Sequence, residues 1–264
     1  DDSDGGKLQI LNYSGSFDMD LRTTRVFRDL TSWYHIVVAV DTTQSTASDR
    51  VKLYVNGTQV TAFSTATYPS QNFETRVSNG HTETVGAEAT TYSYIDGYLA
   101  EVNLIDGTAL TPSSFGETKN GVWIPKRISG LTYGTNGFRL TFSDRSSASA
   151  LGTDTSGNSN NFSVSGLADI DQSQDSPERN FATLNPLASS TEQSFSAGNL
   201  RTVASSSGAN FASSRSTIGV KSGKWYAEFR LDVVQLGTGG QDNGVFVGTG
   251  TKEYPRDSSN QNGT

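Results

Sequence analysis

Asn56-Gly57 constrains this chain more than any other pair of residues. It stands between Arg50-Val51-Lys52-Leu53-Tyr54-Val55 and Thr58-Gln59-Val60, two runs that alternate apolar and polar. Period-two alternation puts successive side chains on opposite faces of a strand. Asn-Gly supplies the positive φ angles that a type I′ turn needs at both central residues. The spacing therefore predicts a tight antiparallel hairpin over 50–60.

The same grammar recurs along the chain. Thr91 to Leu110 opens with aromatics, turns at Asp96-Gly97, alternates through Leu99, Ala100, Glu101, Val102, Asn103 and Leu104, and closes at Asp106-Gly107. Thr111-Pro112-Ser113-Ser114-Phe115 then has the composition of a short helical turn. Trp33 to Val40 is the most apolar run and predicts a central, buried strand. Weaker strands are expected around Thr75-Arg76-Val77 and Glu83-Thr84-Val85, and Asp41 to Asp49 is expected to be a surface loop. No helical hydrophobic period persists for three turns. Short apolar runs between Gly, Asn, Ser and Asp clusters predict an all-β sandwich or barrel with antiparallel sheets.

Composition narrows the function classes. The net charge of -7 disfavours nucleic acid, which needs clustered Lys and Arg. Arg22, Arg25 and Arg28 are interleaved with Asp18, Asp20 and Asp29 and read as a solvated mixed face. The absence of cysteine excludes disulfides, thiolate nucleophiles and Cys-ligated zinc. No apolar run has the length of a membrane span, so no membrane insertion is expected.

Trp33-Tyr-His-Ile-Val-Val-Ala-Val, Val51-Lys-Leu-Tyr-Val-Asn-Gly, Ile95-Asp-Gly-Tyr-Leu-Ala-Glu-Val and Leu110-Thr-Pro, in that order, resemble the landmarks of laminin-G-like domains over about residues 7–118. The resemblance implies the concanavalin A-like jelly-roll fold. It also implies that the opening strands of such a domain precede Lys7, so the chain reads as a piece of a longer protein. Asp154-Thr-Ser-Gly-Asn-Ser-Asn resembles the opening turn of a second such unit. Ser222-Gly-Lys-Trp-Tyr-Ala-Glu-Phe with Gly244-Val-Phe-Val-Gly resembles the first half of a SPRY domain. The implied organisation is a jelly roll at 1–118, a β-rich connector or partial second jelly-roll unit at 119–188, and an incomplete SPRY-like sandwich at 189–264. The succession of these units, with Gly121-Val-Trp-Ile-Pro-Lys and Asn180-Phe-Ala-Thr-Leu-Asn-Pro between them, resembles structural proteins of tailed bacteriophages of the marine type.

Four chemistries have candidate residues in this chain. Glu101-Val-Asn103-Leu-Ile-Asp106 has the spacing of the Glu-x-Asp-x-x-Glu strand of retaining glucanases, whose fold is similar. An amide replaces the middle carboxylate, and the last is an Asp at a turn. Retaining chemistry needs two carboxyl groups about 5–5.5 Å apart, so the expectation is a polar strand face without catalysis. His35 and His81, the only histidines, have no Ser or Asp at a telling spacing, and both read as structural. Calcium is carried by many laminin-G-like domains and takes oxygen ligands. Asp154, Asn158 and Asn160 are the candidate ligands, set against the plain alternative that Asp and Asn bond their own backbone in a turn. The loop at Asp41 to Asp49 is a weaker candidate. For sugars, the expected contacts are Tyr68 with Asn72, and Tyr92 with Tyr94, since rings stack on sugar faces while amides meet hydroxyls.

The resemblance and these residues together imply a non-enzymatic virion component, a tail fibre or surface adhesion module that recognises host-surface polysaccharide. It would be assembled in the host cytoplasm, homo-oligomeric, and joined to other virion proteins. The alternatives are a purely structural fibre or capsid-decoration role and, third, a retaining glycanase.

Overall fold

A computed structural model describes residues 5–29, 32–77, 79–89, 92–144, 146–168, 171–173, 175–179, 181–190, 193–204, 212–232 and 247–248. Two compact units divide the chain, Asp1–Asn180 and Phe181–Thr264. The described residues form β-strands, turns, irregular segments and short 3-10 helices.

In the first unit, β1 (Lys7–Tyr13), β2 (Phe17–Val26) and β6 (Phe63–Thr67) form an antiparallel sheet with β2 in the middle. The core gathers on β2: Met19, Leu21 and Val51 are buried, with Ile10, Phe63 and Tyr68 packed against them. Asp20 and Thr23 are buried with them. Asp20 accepts from Gln9 Nε2 at 2.7 Å, and Thr23 Oγ1 accepts from Leu8 N at 3.1 Å. A buried polar group costs little only when it is paired in this way.

A second sheet has the order β3 (Ile36–Val40), β4 (Val51–Val55), β5 (Thr58–Val60). Asn56 and Gly57 both have positive φ, 49° and 77°, and Val55 pairs with Thr58. The expected type I′ hairpin is present. The expectation of a central buried strand at Trp33 to Val40 is corrected. β3 lies at the edge of its sheet among the described residues and hydrogen-bonds to β4 alone. Ile36, Val38 and Val40 stay 37–44% exposed, although they share a face with the buried Val55, Leu53 and Val51. An edge position leaves one flank of each side chain uncovered, however apolar the run.

β7 (Ala87–Ala89) and β8 (Tyr92–Tyr94) form a two-stranded ribbon. The strands expected at Thr75–Val77 and Glu83–Val85 are absent, and both segments are irregular. The alternating run after Asp96-Gly97 yields a strand only at β9 (Val102–Leu104), because Glu101 takes a left-handed φ of 56°. The 3-10 helix Pro112–Ser114 sits where the proline predicts it. β10 (Gly116–Lys119) and β11 (Val122–Pro125) make a hairpin. β12 (Phe138–Leu140) pairs back onto β9, so strand pairing runs across residue 118, the first boundary that the sequence suggests.

Trp123 of β11 ties this hairpin to the β4–β5 turn. Its Nε1–H donates to His35 Nδ1 at 3.1 Å, and the two rings stack with centroids 5.6 Å apart. His35 is therefore neutral, with its proton on Nε2, and burial lowers its pKa from 6.5. The indole occupies the space a Cβ would need at both Gly57 and Gly116.

In the second unit, β13 (Leu184–Ser189) pairs with β16 (Ser214–Ser216), and β14 (Gln193–Ser196) with β15 (Arg201–Ala204). The stretch that resembles a SPRY start, 218–232, contains no strand, and its Trp225 and Tyr226 are exposed. Gly244-Val-Phe-Val-Gly lies mostly outside the described residues.

Candidate functional site

The β1–β2 hairpin turns at Gly15, whose φ of 106° favours glycine. Asp18 organises this turn. Its carboxylate accepts from Ser14 Oγ, from Ser16 Oγ at 3.3 Å and from Asn12 Nδ2 at 3.5 Å. The buried Asn12 then uses its Oδ1 to accept from Arg76 N at 2.9 Å. The Arg76 guanidinium donates from Nη1 to the Tyr13 carbonyl at 3.1 Å. It also meets His81 Nδ1 at 3.3 Å. Arginine only donates, so His81 Nδ1 accepts and the histidine carries its proton on Nε2.

These bonds hang residues 73–77 and 79–81 beside the hairpin and leave a cleft of about 290 Å³ between them. Its lining is Asn12, Ser14, Phe73, Glu74, Arg76, Asn79 and His81. One half-buried ring is thus surrounded by a cation, a carboxylate, two amides, a hydroxyl and an imidazole. An apolar face with convergent polar edges is what a sugar ring presents in complement. Tyr13 and Phe17 form an exposed pair with ring centroids 5.2 Å apart at the same hairpin end. Neither ring is among the residues that line the cleft, so this pair lies beside it.

Of the four sugar contacts expected from the sequence, Tyr68, Asn72 and Tyr94 are not among the residues that line the cleft. Tyr68 packs on the Met19–Leu21–Val51 core. Asn72 takes a left-handed φ of 60°, and its N–H donates to the Thr42 carbonyl at 2.8 Å, which makes it a turn former next to Phe73. Tyr94 is exposed on β8. Tyr92 pairs with Ala89 in that ribbon, and its side chain lies outside the described residues. The signal that pointed to the cleft was the density of polar and charged residues in Glu74, Arg76, Asn79 and His81 directly after an aromatic. Reading Thr75–Val77 as a strand concealed it.

Asp154, Asn158 and Asn160 do come together, around one carboxylate. Asp154 Oδ1 accepts from Arg139 N and Ser156 N, both at 2.8 Å. Its Oδ2 accepts from Ser156 Oγ at 2.8 Å and Asn160 N at 2.9 Å. Burial alone would raise the Asp154 pKa, but these four bonds outweigh it and hold the group below its ordinary 3.8. Asn158 Nδ2 donates to the Gly134 and Gly137 carbonyls at 2.6 and 2.8 Å. Asn160 Nδ2 donates to the Thr135 and Gly137 carbonyls at 3.1 and 2.9 Å. A carbonyl neighbour requires the nitrogen end of each amide. The donor set does not fit a calcium ion, which needs converging oxygens. Both Asp154 oxygens are filled by N–H and O–H donors, and both amides offer nitrogen. The arrangement clamps the loop 154–161 onto residues 134–139. Asp41, in the weaker candidate loop, likewise accepts from Thr43 Oγ1 and Gln44 Nε2, both at 2.6 Å.

The glucanase spacing is also resolved. The left-handed turn at Glu101 sends its carboxylate to Arg139 Nε at 2.7 Å. Asn103 Oδ1 accepts from Tyr133 OH at 2.9 Å, and Asp106 Oδ2 accepts from Asn136 N and Nδ2, both at 3.0 Å. Burial, followed by the fields of Glu101 and Asp154, raises the Tyr133 pKa against the opposing pull of Arg139, which keeps the phenol a donor.

Residues 2–114 match the family model described as the concanavalin A-like lectin/glucanases superfamily, less than half of the chain. They form a concanavalin A-like domain, which agrees with the antiparallel, all-β architecture and with the laminin-G-like landmarks. No curated protein and no solved structure matches the chain.

Proposed function

We propose that the concanavalin A-like domain is a glycan-binding module that does not cleave its ligand, and that its site is the cleft between the β1–β2 hairpin and residues 73–77 and 79–81. The observation that carries this reading is the lining itself: one ring, Phe73, among polar groups that offer both donors and acceptors. The superfamily is compatible with sugar binding. Hydrolysis finds little support. Glu74 is the only carboxylate in the lining among the described residues, and Glu101 is occupied by Arg139. The cleft therefore offers no second carboxylate among the described residues, and the Glu101 carboxylate is held by a cation.

The wider role rests on the order of sequence motifs. On that basis the module belongs to a surface-displayed virion protein, a tail fibre or adhesin, that meets host-surface polysaccharide. The alternative, a purely structural virion part, is favoured by the exposed apolar edge at Ile36, Val38 and Val40, which suits burial against a neighbour.

A panel of neutral and acidic oligosaccharides, titrated by calorimetry, tests the site. Binding should be detected and should fall by about fivefold in Phe73→Ala, since one stacked ring contributes on the order of 1 kcal/mol. The same oligosaccharides should show no new reducing ends. Unchanged binding in a folded Phe73→Ala moves the site elsewhere.

A further inference from the structure

We infer that the sugar the cleft takes bears a carboxylate, a uronic-acid type of residue, and that Arg76 is the group that reads it. This rests on the glycan-binding reading above and names its ligand class.

Arg76 is the sole formal cation in the lining among the described residues, and it is exposed. A guanidinium has five N–H donors in a planar fork. Among the described residues two partners engage it, the Tyr13 carbonyl and His81 Nδ1, and neither is charged against it. No ion pair reaches it among the described residues, whereas Arg22, Arg139, Arg201 and Arg230 each have a carboxylate within 4 Å. Arg50 instead spends its fork on the Gln44, Ser45 and Pro69 carbonyls. Arg76 therefore keeps its charge and spare donors at the cleft, where a ligand can meet them.

The two neutral bonds fix the fork without neutralising it, which is how a recognition group is positioned before the ligand arrives. The chain carries -7, so an anionic ligand gains nothing from the overall field and needs a local cation. Glu74 narrows the choice further. A polyanion with charge on every edge would face its carboxylate, whereas a sugar with one carboxylate and several hydroxyls places the former at Arg76 and donates to Glu74 and Asn79. A planar fork and a planar carboxylate pair in two parallel hydrogen bonds.

The test uses acidic polysaccharide fragments, polygalacturonate and alginate oligomers among them, beside the same oligomers with the carboxylates methyl-esterified or reduced. With the unmodified protein, an acid form should bind at least about tenfold more tightly than its ester, the worth of one charge-assisted pair. That advantage should shrink with added salt. In Arg76→Gln the acid and ester should bind alike, at the ester's affinity, and Arg76→Lys should restore part of the difference. Should Arg76→Gln fail to fold, the acid-to-ester ratio on the unmodified protein still decides. Equal affinity for acid and ester overturns the inference and leaves glycan binding standing. A sulfated neutral oligomer that binds as well as the uronate overturns the carboxylate assignment. No binding by any oligomer, neutral or acidic, overturns both readings together.

Discussion

Gly57→Ala isolates the Trp123 clasp. Gly57 has a φ of 77°, so any Cβ there is strained by roughly 1–2 kcal/mol. The added methyl would also lie 2.4 Å from Trp123 Cε3 and Cζ3, closer than any real contact, so the ring must move. Moving it stretches the Nε1–H bond to His35, worth about 1 kcal/mol, and the stacked pair, worth about 0.5–1.5 kcal/mol. The expected loss is about 3 kcal/mol, read as a shift of the chemical denaturation midpoint at constant slope. Two controls separate strain from collision. Gly107 has a φ of 86° and nothing within 4 Å of a built Cβ, so Gly107→Ala should lose only the 1–2 kcal/mol of strain. In a Trp123→Ala background, Gly57→Ala should fall to the same cost, which makes the coupling about 1.5 kcal/mol. If Gly57→Ala costs the same with and without Trp123, the ring is not held where the structure places it, and the argument fails.

Acid should weaken the same clasp. The folded His35 pKa lies below its unfolded value, so stability is full above about pH 6.5 and declines as pH falls toward the folded value; a His35→Gln variant should flatten that part of the curve. Asp154→Ala removes the acceptor of four donors and should cost roughly 2–4 kcal/mol, whereas a chelator should leave the melting temperature of the unmodified protein unchanged. A chelator-induced drop that Asp154→Ala abolishes would instead put an ion in that loop. Because the folded Asp154 pKa is depressed, its contribution is present above about pH 4 and is lost as pH falls through the folded value. Glu101→Gln weakens a partly exposed pair and should cost no more than about 1 kcal/mol, with oligosaccharide binding unchanged by calorimetry.

Local geometry was legible in the sequence and non-local geometry was not. The type I′ turn at Asn56-Gly57 and the 3-10 turn at Pro112 follow from φ preferences of a few adjacent residues, and those act in any context. Alternation identified an all-β, antiparallel chain for the same reason. Which apolar run becomes central depends on what lies on either side of it. Trp33 to Val40 is the more apolar, yet β2, with its Asp20 and Thr23, and β4 are the strands flanked on both sides, and they carry the buried residues. The Asp154 turn was visible as a turn, but its partners at 134–139 lie one loop away, and only folding shows that its amides present nitrogen rather than oxygen. The cleft is the extreme case. It joins Asn12 to Arg76 across 64 residues through a backbone N–H and a side-chain oxygen. No periodicity or spacing records such a bond, because its geometry exists only once two distant segments have been brought together by the burial of others.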